Sequence, residues 1–558
     1  MTGGPATITV AELVGRALAV LGAGHCFGVV GSGNFAVTNA LRAAGVPFTQ
    51  TRHEGGAATM ADAYARMSGK VALVSVHQGC GLTNAATGIG EAAKSRTPVI
   101  VLAAETAGSA VNSNFTMDQD QFTRGVLATS ERVHSAGSAL ADVVRAFRTA
   151  RDRRRTVVLN LPLDVQGLHV RASVLDELVI PPVPVPVTAG RESVVALADE
   201  FRRAKRPVIV AGRGARAAGP ALRELGERSG ALLATSAVAN GLFLGETYDL
   251  GISGGFSSPT TAELIAEADL IVGFGCALNM WTMRHGRLIG QETRVVQVDL
   301  DDDALGANRP IHLGILGDSA TTAAAVSREL DALGGPLPGY RSTAVAERLA
   351  TSRYWNDHPT PDLSTADTID PRELSRALDA LLPMNRILSI DSGNFMGYPS
   401  NYLRVPDENG FCFTQAFQSI GLGLYTAIGA ALAQPDRFPV LGTGDGGFLM
   451  GVQELDTAVR LGLPLVCIVY NDDAYGAEVH HFAEADPAPD MSTVVFPSTD
   501  IAAIARGFGA TGITVRSLAD LDAVRAWLSS EPSAPLVIDA KIASDGGAWW
   551  LAEAFQGH

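Results

Sequence analysis

Cysteine is scarce in this sequence: its 558 residues hold five, Cys26, Cys80, Cys276, Cys412 and Cys467. They lie scattered in apolar or Gly-rich stretches, without metal-ligand spacing or an even framework, which excludes a disulfide scaffold and reads as reduced cytosolic thiols. No Lys/Arg-rich run occurs and the formal net charge is −15, so the electrostatic footprint of a nucleic-acid or anionic-membrane partner is missing. Nor is there a run of 18 apolar residues, or a basic cluster ahead of an apolar core between Met1 and Leu21. Neither a spanning helix nor a secretory leader is therefore expected, and the reading is a cytoplasmic protein with small-molecule partners. Aromatics reach only 6% and charged residues 18%, against 47% apolar residues and 60 glycines, the profile of a well-packed α/β protein.

The chain is too long for a single hydrophobic core, and three domains are expected. Through the first, residues 1–180, short apolar runs such as Val71 to Val76 and Pro98 to Ala103 alternate with Ala-rich helical stretches. That rhythm indicates strands and crossover helices of a parallel sheet. Prolines 181, 182, 184 and 186 then interrupt the chain between Ile180 and Val187, where neither a helix nor a central strand can continue. The strand and helix rhythm resumes over residues 188–335, breaks at Gly334-Gly-Pro-Leu-Pro-Gly339, and returns in a third unit over residues 365–558. The expected fold is thus three doubly wound parallel-sheet α/β domains.

The densest local signal is Gly444-Asp445-Gly446-Gly447, after the strand-like Pro439-Val-Leu-Gly and before a helical pattern carrying Val452, Leu455 and Val459. The next apolar run, Leu465 to Tyr470, ends at Asn471-Asp472-Asp473. Asp445 and Asp472 thereby fall at the carboxyl ends of successive strands, where open α/β sheets bind ligands. Glycines let the backbone approach a phosphate, and the following helix offers free N–H groups and a positive dipole end. Two side-chain oxygens, one carbonyl and diphosphate oxygens would suit Mg²⁺, which takes six oxygen ligands. Taken alone, the turn is equally an acidic strand end, since short glycine motifs have many false positives.

The stretch from Gly444 to Gly476, GDGGFLMGVQELDTAVRLGLPLVCIVYNDDAYG, closely resembles the diphosphate-binding motif of thiamine-diphosphate-dependent enzymes. The resemblance implies a cofactor cradle at Gly444, Asp445, Gly446, Gly447, Asp472, Ala474, Tyr475 and Gly476. It also implies a metal site at Asp445, Asp472 and the carbonyl of Ala474. Family members usually carry Asn as the second side-chain ligand, and here Asn471 and Asp472 stand side by side, both oxygen donors.

A second block, RHEGGAATMADAYAR from Arg52 to Arg66, opens a helix with Ala57, Met60, Ala61 and Tyr64 on one face. Glu54 would stand at its N-terminus, where the dipole favours the ionised form and burial the protonated one. Such a carboxyl is suited to proton exchange with a base, although a Glu there can also serve the helix alone. The block resembles the family segment whose glutamate contacts the cofactor's aminopyrimidine. Glu54 would then favour the imino form that removes the thiazolium C2 proton. Ile420, in Gln418-Ser-Ile-Gly421, matches the bulky apolar residue that family members place beneath the cofactor. Glu54 and Asp445 come from opposite ends of the chain. In the family such residues meet between subunits, which implies a homodimer or homotetramer.

Around the reacting carbon the resemblances diverge. Ser32 and His77 match active-site positions of benzoylformate decarboxylase, and Glu478 matches a catalytic glutamate of pyruvate decarboxylase. A His there exchanges protons near neutral pH. The adjacent histidine pair that pyruvate decarboxylases carry in the first domain is missing. Gln121 and Phe122 resemble the acceptor border of acetolactate synthases. The central segment resembles the FAD-binding part of acetolactate synthase and pyruvate oxidase. Gly275 to His285 carries no convincing flavin fingerprint, however, so FAD is an option that is not favoured. The leading expectation is decarboxylation of a 2-oxo acid donor with ligation to a carbonyl acceptor, as in acetolactate synthase. The alternatives are a non-ligating 2-oxo acid decarboxylase and an inert cofactor-binding homologue.

Overall fold

The computed structural model describes residues 6–482, 487 and 489–546; the outer ends of the first and third expected domains, residues 1–5 and 547–558, lie outside the described residues. Three six-stranded parallel sheets, each flanked by helices, follow one another along the chain. Edge to edge the first runs Phe48–Gln50, Cys26–Gly28, Ala72–Val76, Val99–Glu105, Val157–Pro162 and Thr129–Arg132. The second runs Asp249–Ile252, Leu232–Thr235, Pro207–Ala211, Leu270–Phe274, Arg294–Asp299 and Leu313–Leu316. The third runs Phe411–Phe413, Arg386–Ile390, Phe438–Gly444, Val466–Asn471, Leu536–Lys541 and Thr511–Val515. Numbered in chain order within each sheet, the outer two share the order 2-1-3-4-6-5, whereas the central one is 3-2-1-4-5-6. This is a doubly wound α/β protein of three domains.

Helices cover both faces of each sheet, so inner strands such as Ala72–Val76, Leu270–Phe274 and Val466–Asn471 are buried along their whole length. That is why they read as continuous apolar runs rather than alternating ones. The proline-bearing stretch from Ile180 to Val187 forms neither helix nor strand and leaves Val183 and Val185 exposed. Among the described residues no helix is long and apolar enough to cross a membrane.

The cores are distributed unevenly. Each domain packs at least one cluster of its own, and the first and third domains share a further large one and a small one. The shared core forms where helix Glu54–Ser68 lies against helix Gly423–Ala433, with Ala57, Met60 and Ala61 meeting Leu424, Ala427 and Ile428. Small residues permit a close crossing: a Cβ on Gly429 would sit 2.3 Å from the Met60 carbonyl oxygen. A buried polar cluster closes one side. Arg66 donates to Asp62, Glu91 and the Phe413 carbonyl at 2.6, 2.7 and 2.8 Å, and Glu91 accepts the Ala416 and Phe417 N–H groups at 2.9 and 2.6 Å. Burial alone would raise the Glu91 carboxyl, but the Arg66 charge and those two N–H groups hold it below the ordinary glutamate value.

The crossing gives a test in which two effects oppose each other. Alanine is favoured over glycine in a helix by about 1 kcal/mol. Overpacking costs about 1–3 kcal/mol, and here the methyl would meet backbone, which cannot swing aside. We expect Gly429→Ala to lose about 2 kcal/mol net, read as a lower urea midpoint at fixed protein concentration. An unchanged or raised midpoint would show that the helices do not cross this closely.

Candidate active site

Ligands of doubly wound sheets sit beyond the strands' carboxyl ends, at the switch point where the strand order reverses. In the first sheet that point lies between strands Cys26–Gly28 and Ala72–Val76. The residues that follow these strands include Ser32 and His77, and they meet: Ser32 Oγ is 3.4 Å from His77 Nε2. His77 Nδ1 lies 3.1 Å from the Gln78 carbonyl, which assigns the ring proton to Nδ1 and leaves Nε2 to accept the Ser32 hydroxyl. The imidazole packs edge-on against Phe115. Glu54 opens its helix, only 8% exposed, and its Oε2 accepts from Asn84 Nδ2 at 3.0 Å. The helix is capped by the His53 ring, which accepts the Gly55 N–H. Gly81 lets Glu54 and His77 face one hollow, because a Cβ there would lie 3.2 Å from His77 Cβ and 3.3 Å from Glu54 Oε1.

In the third sheet the equivalent switch point lies between Arg386–Ile390 and Phe438–Gly444, and carboxylates crowd it. Asp445 is the first residue of helix Asp445–Gly451, and Asp472 follows strand Val466–Asn471. Burial pushes both carboxyls upward, Asp445 to about 6 and Asp472 to about 7, with the Asp473 charge adding to the rise at Asp445 and the Asp445 charge to that at Asp472. Asn471 is turned away: its Nδ2 donates to Asp539 at 2.7 Å and its Oδ1 accepts the Asp473 N–H at 2.9 Å. Of these neighbours it is Asp472 whose side chain faces Asp445. Asp473 takes a left-handed conformation, φ +52°, strain of a kind concentrated at ligand sites. Ladder bonds on either side of Ala474 join Tyr475 N–H to the Val494 carbonyl and Phe496 N–H to the Asp473 carbonyl, so the Ala474 carbonyl takes no part in that ladder. The Tyr475 ring covers Gly446, where a Cβ would come within 2.7 Å of it.

The structure brings Ile420, Gly444, Asp445, Gly446, Gly447, Asp472, Ala474, Tyr475, Gly476 and Glu478 together along one cleft of about 2080 Å³. Glu54, Ser32 and His77 do not line it. One chain thus carries two half-sites, each at the switch point of an outer sheet. At the central sheet's switch point Gly212 N–H donates to the Phe274 carbonyl and Gly214 N–H to the Gly275 carbonyl, and these glycines line the same cleft. Sequence reasoning missed Asp391, fully buried beneath the cleft, which accepts the Ser392 and Gly421 N–H groups and the Thr443 hydroxyl. It thereby ties the Ile420 turn to the strand that ends at Gly444. Burial raises its carboxyl to about 6. Its place at a strand's carboxyl end, shared with Asp445 and Asp472, was an available signal; nothing in sequence pointed to Asn84.

Comparison with known proteins agrees with this geometry. The thiamine pyrophosphate enzyme N-terminal, central and C-terminal domain profiles match residues 8–124, 194–326 and 391–540. The chain belongs to the thiamine pyrophosphate enzyme family and is a thiamine-diphosphate-dependent enzyme. It is 31% identical to a probable 2-ketoarginine decarboxylase of Pseudomonas aeruginosa, over 92% of this chain and 90% of that one. A sulfoacetaldehyde acetyltransferase of Castellaniella defragrans is 28% identical, with coverage of 92% and 89%. The acetolactate synthase large subunit of Parasynechococcus marenigrum is 29% identical, with coverage of 95% and 87%. Among solved structures, a thiamine diphosphate-dependent 4-hydroxybenzoylformate decarboxylase of Rhodococcus jostii superposes with a TM-score of 0.81 at 21% identity, covering 97% of this chain and 100% of that one. This likeness is one of fold.

The aspartate pair makes stability depend on pH. Each carboxyl would titrate near 3.8 in the unfolded chain, so the folded protein holds these protons more tightly. Their contribution to stability is complete below that value and is lost as pH rises through the raised folded values. With EDTA present, the wild-type melting temperature should fall relative to Asp445→Asn from about pH 5 to about pH 8. A constant difference across that range would refute the pairing of the two carboxyls.

Proposed function

We propose that the chain is a Mg²⁺-dependent carboligase of the acetolactate synthase kind, which decarboxylates a 2-oxo acid and joins the remaining acyl carbon to a second carbonyl compound. The observation that carries the reading is the presence of both half-sites, Glu54 with Ser32 and His77, and Asp445 with Asp472 beside a glycine turn. Two juxtaposed buried carboxyls with raised affinity for protons are a donor set that a divalent cation would satisfy. Asp445, Asp472 and the Ala474 carbonyl would hold Mg²⁺, and the amides from Gly444 to Gly447 would hold the diphosphate. Bound thiamine diphosphate supplies a thiazolium, which accepts the electron pair left when CO₂ departs.

The chain's own residues do the rest. Glu54 holds a proton at the aminopyrimidine nitrogen, and its partner Asn84 fixes the carboxyl. Ile420, on the cleft wall, would support the cofactor's rings. Ser32, His77 and Glu478 hold or deliver protons at the substrate's reacting carbon. The separation of the half-sites in one chain supports a homodimer or homotetramer, in which Glu54 of one copy completes the cleft of another. The relatives named as acetolactate synthase and acetyltransferase favour ligation. FAD stays outside this reading.

A second reading, simple decarboxylation with aldehyde release, is favoured by the Ser32–His77 pair and by Glu478 on the cleft wall. Product analysis on a panel of 2-oxo acids, with and without an added carbonyl acceptor, separates the two. A new carbon–carbon bond is expected, and free aldehyde alone would favour the second reading. Glu54→Gln should bind the cofactor yet release CO₂ about 10²–10⁴-fold more slowly, as loss of a general acid–base partner does. No CO₂ from wild type on any acid tested would support the inert homologue.

A further inference from the structure

The element that starts at Asp445 does not end its work there. Helix Asp445–Gly451 continues through a 3₁₀ turn, Val452–Glu454, into helix Leu455–Arg460, and the far part of this run grips the first domain. Glu454 is fully buried, and one oxygen, Oε1, accepts both the Arg52 N–H at 2.8 Å and the His53 N–H at 2.9 Å. Its other oxygen accepts the Thr457 hydroxyl at 2.5 Å. Around it Asp456 accepts from Arg52 Nε at 2.6 Å, and Arg460 donates to the Gln50 carbonyl at 2.8 Å. Gly56 leaves room for the carboxylate, since a Cβ there would lie 2.8 Å from Oε1.

These contacts are not an ordinary helix cap. Helix Glu54–Ser68 already has one in His53. Glu454 instead binds the two amides just ahead of the helix, from another domain. Buried N–H groups need acceptors, and these two have theirs only if the backbone immediately before Glu54 stays where Glu454 fixes it. The geometry points to Glu454 as the positioning residue for Glu54: its Oε1 sets the backbone at Arg52 and His53 and thereby the direction in which the Glu54 carboxyl leaves the helix end. What the role requires is an acceptor atom at that point rather than a negative charge. The inference rests on the reading that Glu54 serves the aminopyrimidine.

The test compares Glu454→Gln, Glu454→Asp and Glu454→Ala in full-length protein loaded with thiamine diphosphate and Mg²⁺. The readouts are the hydrogen–deuterium exchange rate at cofactor C2, cofactor affinity and melting temperature. Glutamine keeps the acceptor in place and can donate its NH₂ to Thr457, whereas aspartate keeps the charge but withdraws the oxygen by one methylene. Exchange in Glu454→Gln should stay within about twofold of wild type, and in Glu454→Asp and Glu454→Ala it should fall about 10–100-fold, a usual loss for an outer-shell partner. Cofactor affinity should change little, and adding Glu54→Gln to Glu454→Asp should slow exchange no further than Glu54→Gln alone. Where Glu454→Ala does not fold, the Gln and Asp variants decide the matter.

Slower exchange in Gln than in Asp would overturn the proposal in favour of a charge effect. Wild-type exchange in folded, cofactor-bound Glu454→Asp would also overturn it. Wild-type exchange in Glu54→Gln would overturn the role of Glu54 itself and this proposal with it.

Discussion

The placement of every functional side chain depends on the contact between helix Glu54–Ser68 and helix Gly423–Ala433. Alanines and Gly429 bring two backbones from distant parts of the chain almost into contact, and one hydrophobic core closes over them. Apolar packing alone is non-directional and would allow sliding. Three buried acidic residues remove that freedom. Asp62 holds Arg66, Glu91 takes amides ahead of Ile420, and Glu454 takes amides ahead of Glu54, so each half-site loop is held by a carboxylate from the other domain. Isolated buried charges would be expensive, but each of these carries several hydrogen bonds, the condition under which burial gives a single arrangement rather than strain.

Chemistry sits on this frame in a repeated way. Both outer sheets have the same strand order, and both place reactive side chains after the two strands flanking the order reversal. The outcome differs with the residues supplied. The first sheet offers Ser32 and His77, a hydroxyl and an imidazole in hydrogen-bond contact. The third offers Asp391, Asp445 and Asp472, three carboxyls raised mainly by burial, a field that invites a cation. The central sheet has the order expected of a dinucleotide binder, yet its glycine turns bond to each other. Topology sets where a ligand can sit, and the residues at that place decide which chemistry suits it.

Much of this was legible in sequence because it was local. Fully buried strands announce themselves as apolar runs, and Asp445 and Asp472 could be placed at strand ends from the residues around them. Glu54 was readable as a helix start for the same reason. What stayed hidden depended on contacts between segments far apart. Asn471 and Asp472 are adjacent and chemically similar, and only the distant Asp539 shows which one is turned away. Glu454 lay within a recognisable motif but read as one more helical residue, since its partners are some 400 positions away. The partner of Glu54, Asn84, ends the short helix Cys80–Asn84, which carries no compositional mark of such a role.

The uneven sharing of cores bears on how such chains can change over generations. The central domain packs on itself, with its two clusters drawn from its own residues. It is nonetheless tied to both neighbours: Arg213 and Arg216 donate to the Ser95 and Arg66 carbonyls, and the Phe256 ring meets Phe413, so its exchange between relatives by recombination would have to preserve these contacts. The first and third domains each have a core of their own but are also joined by a common one. A crossover that replaced one without the other would mismatch both halves of a common interior, so a change on one side requires a matching change on the other even though a third of the gene separates them.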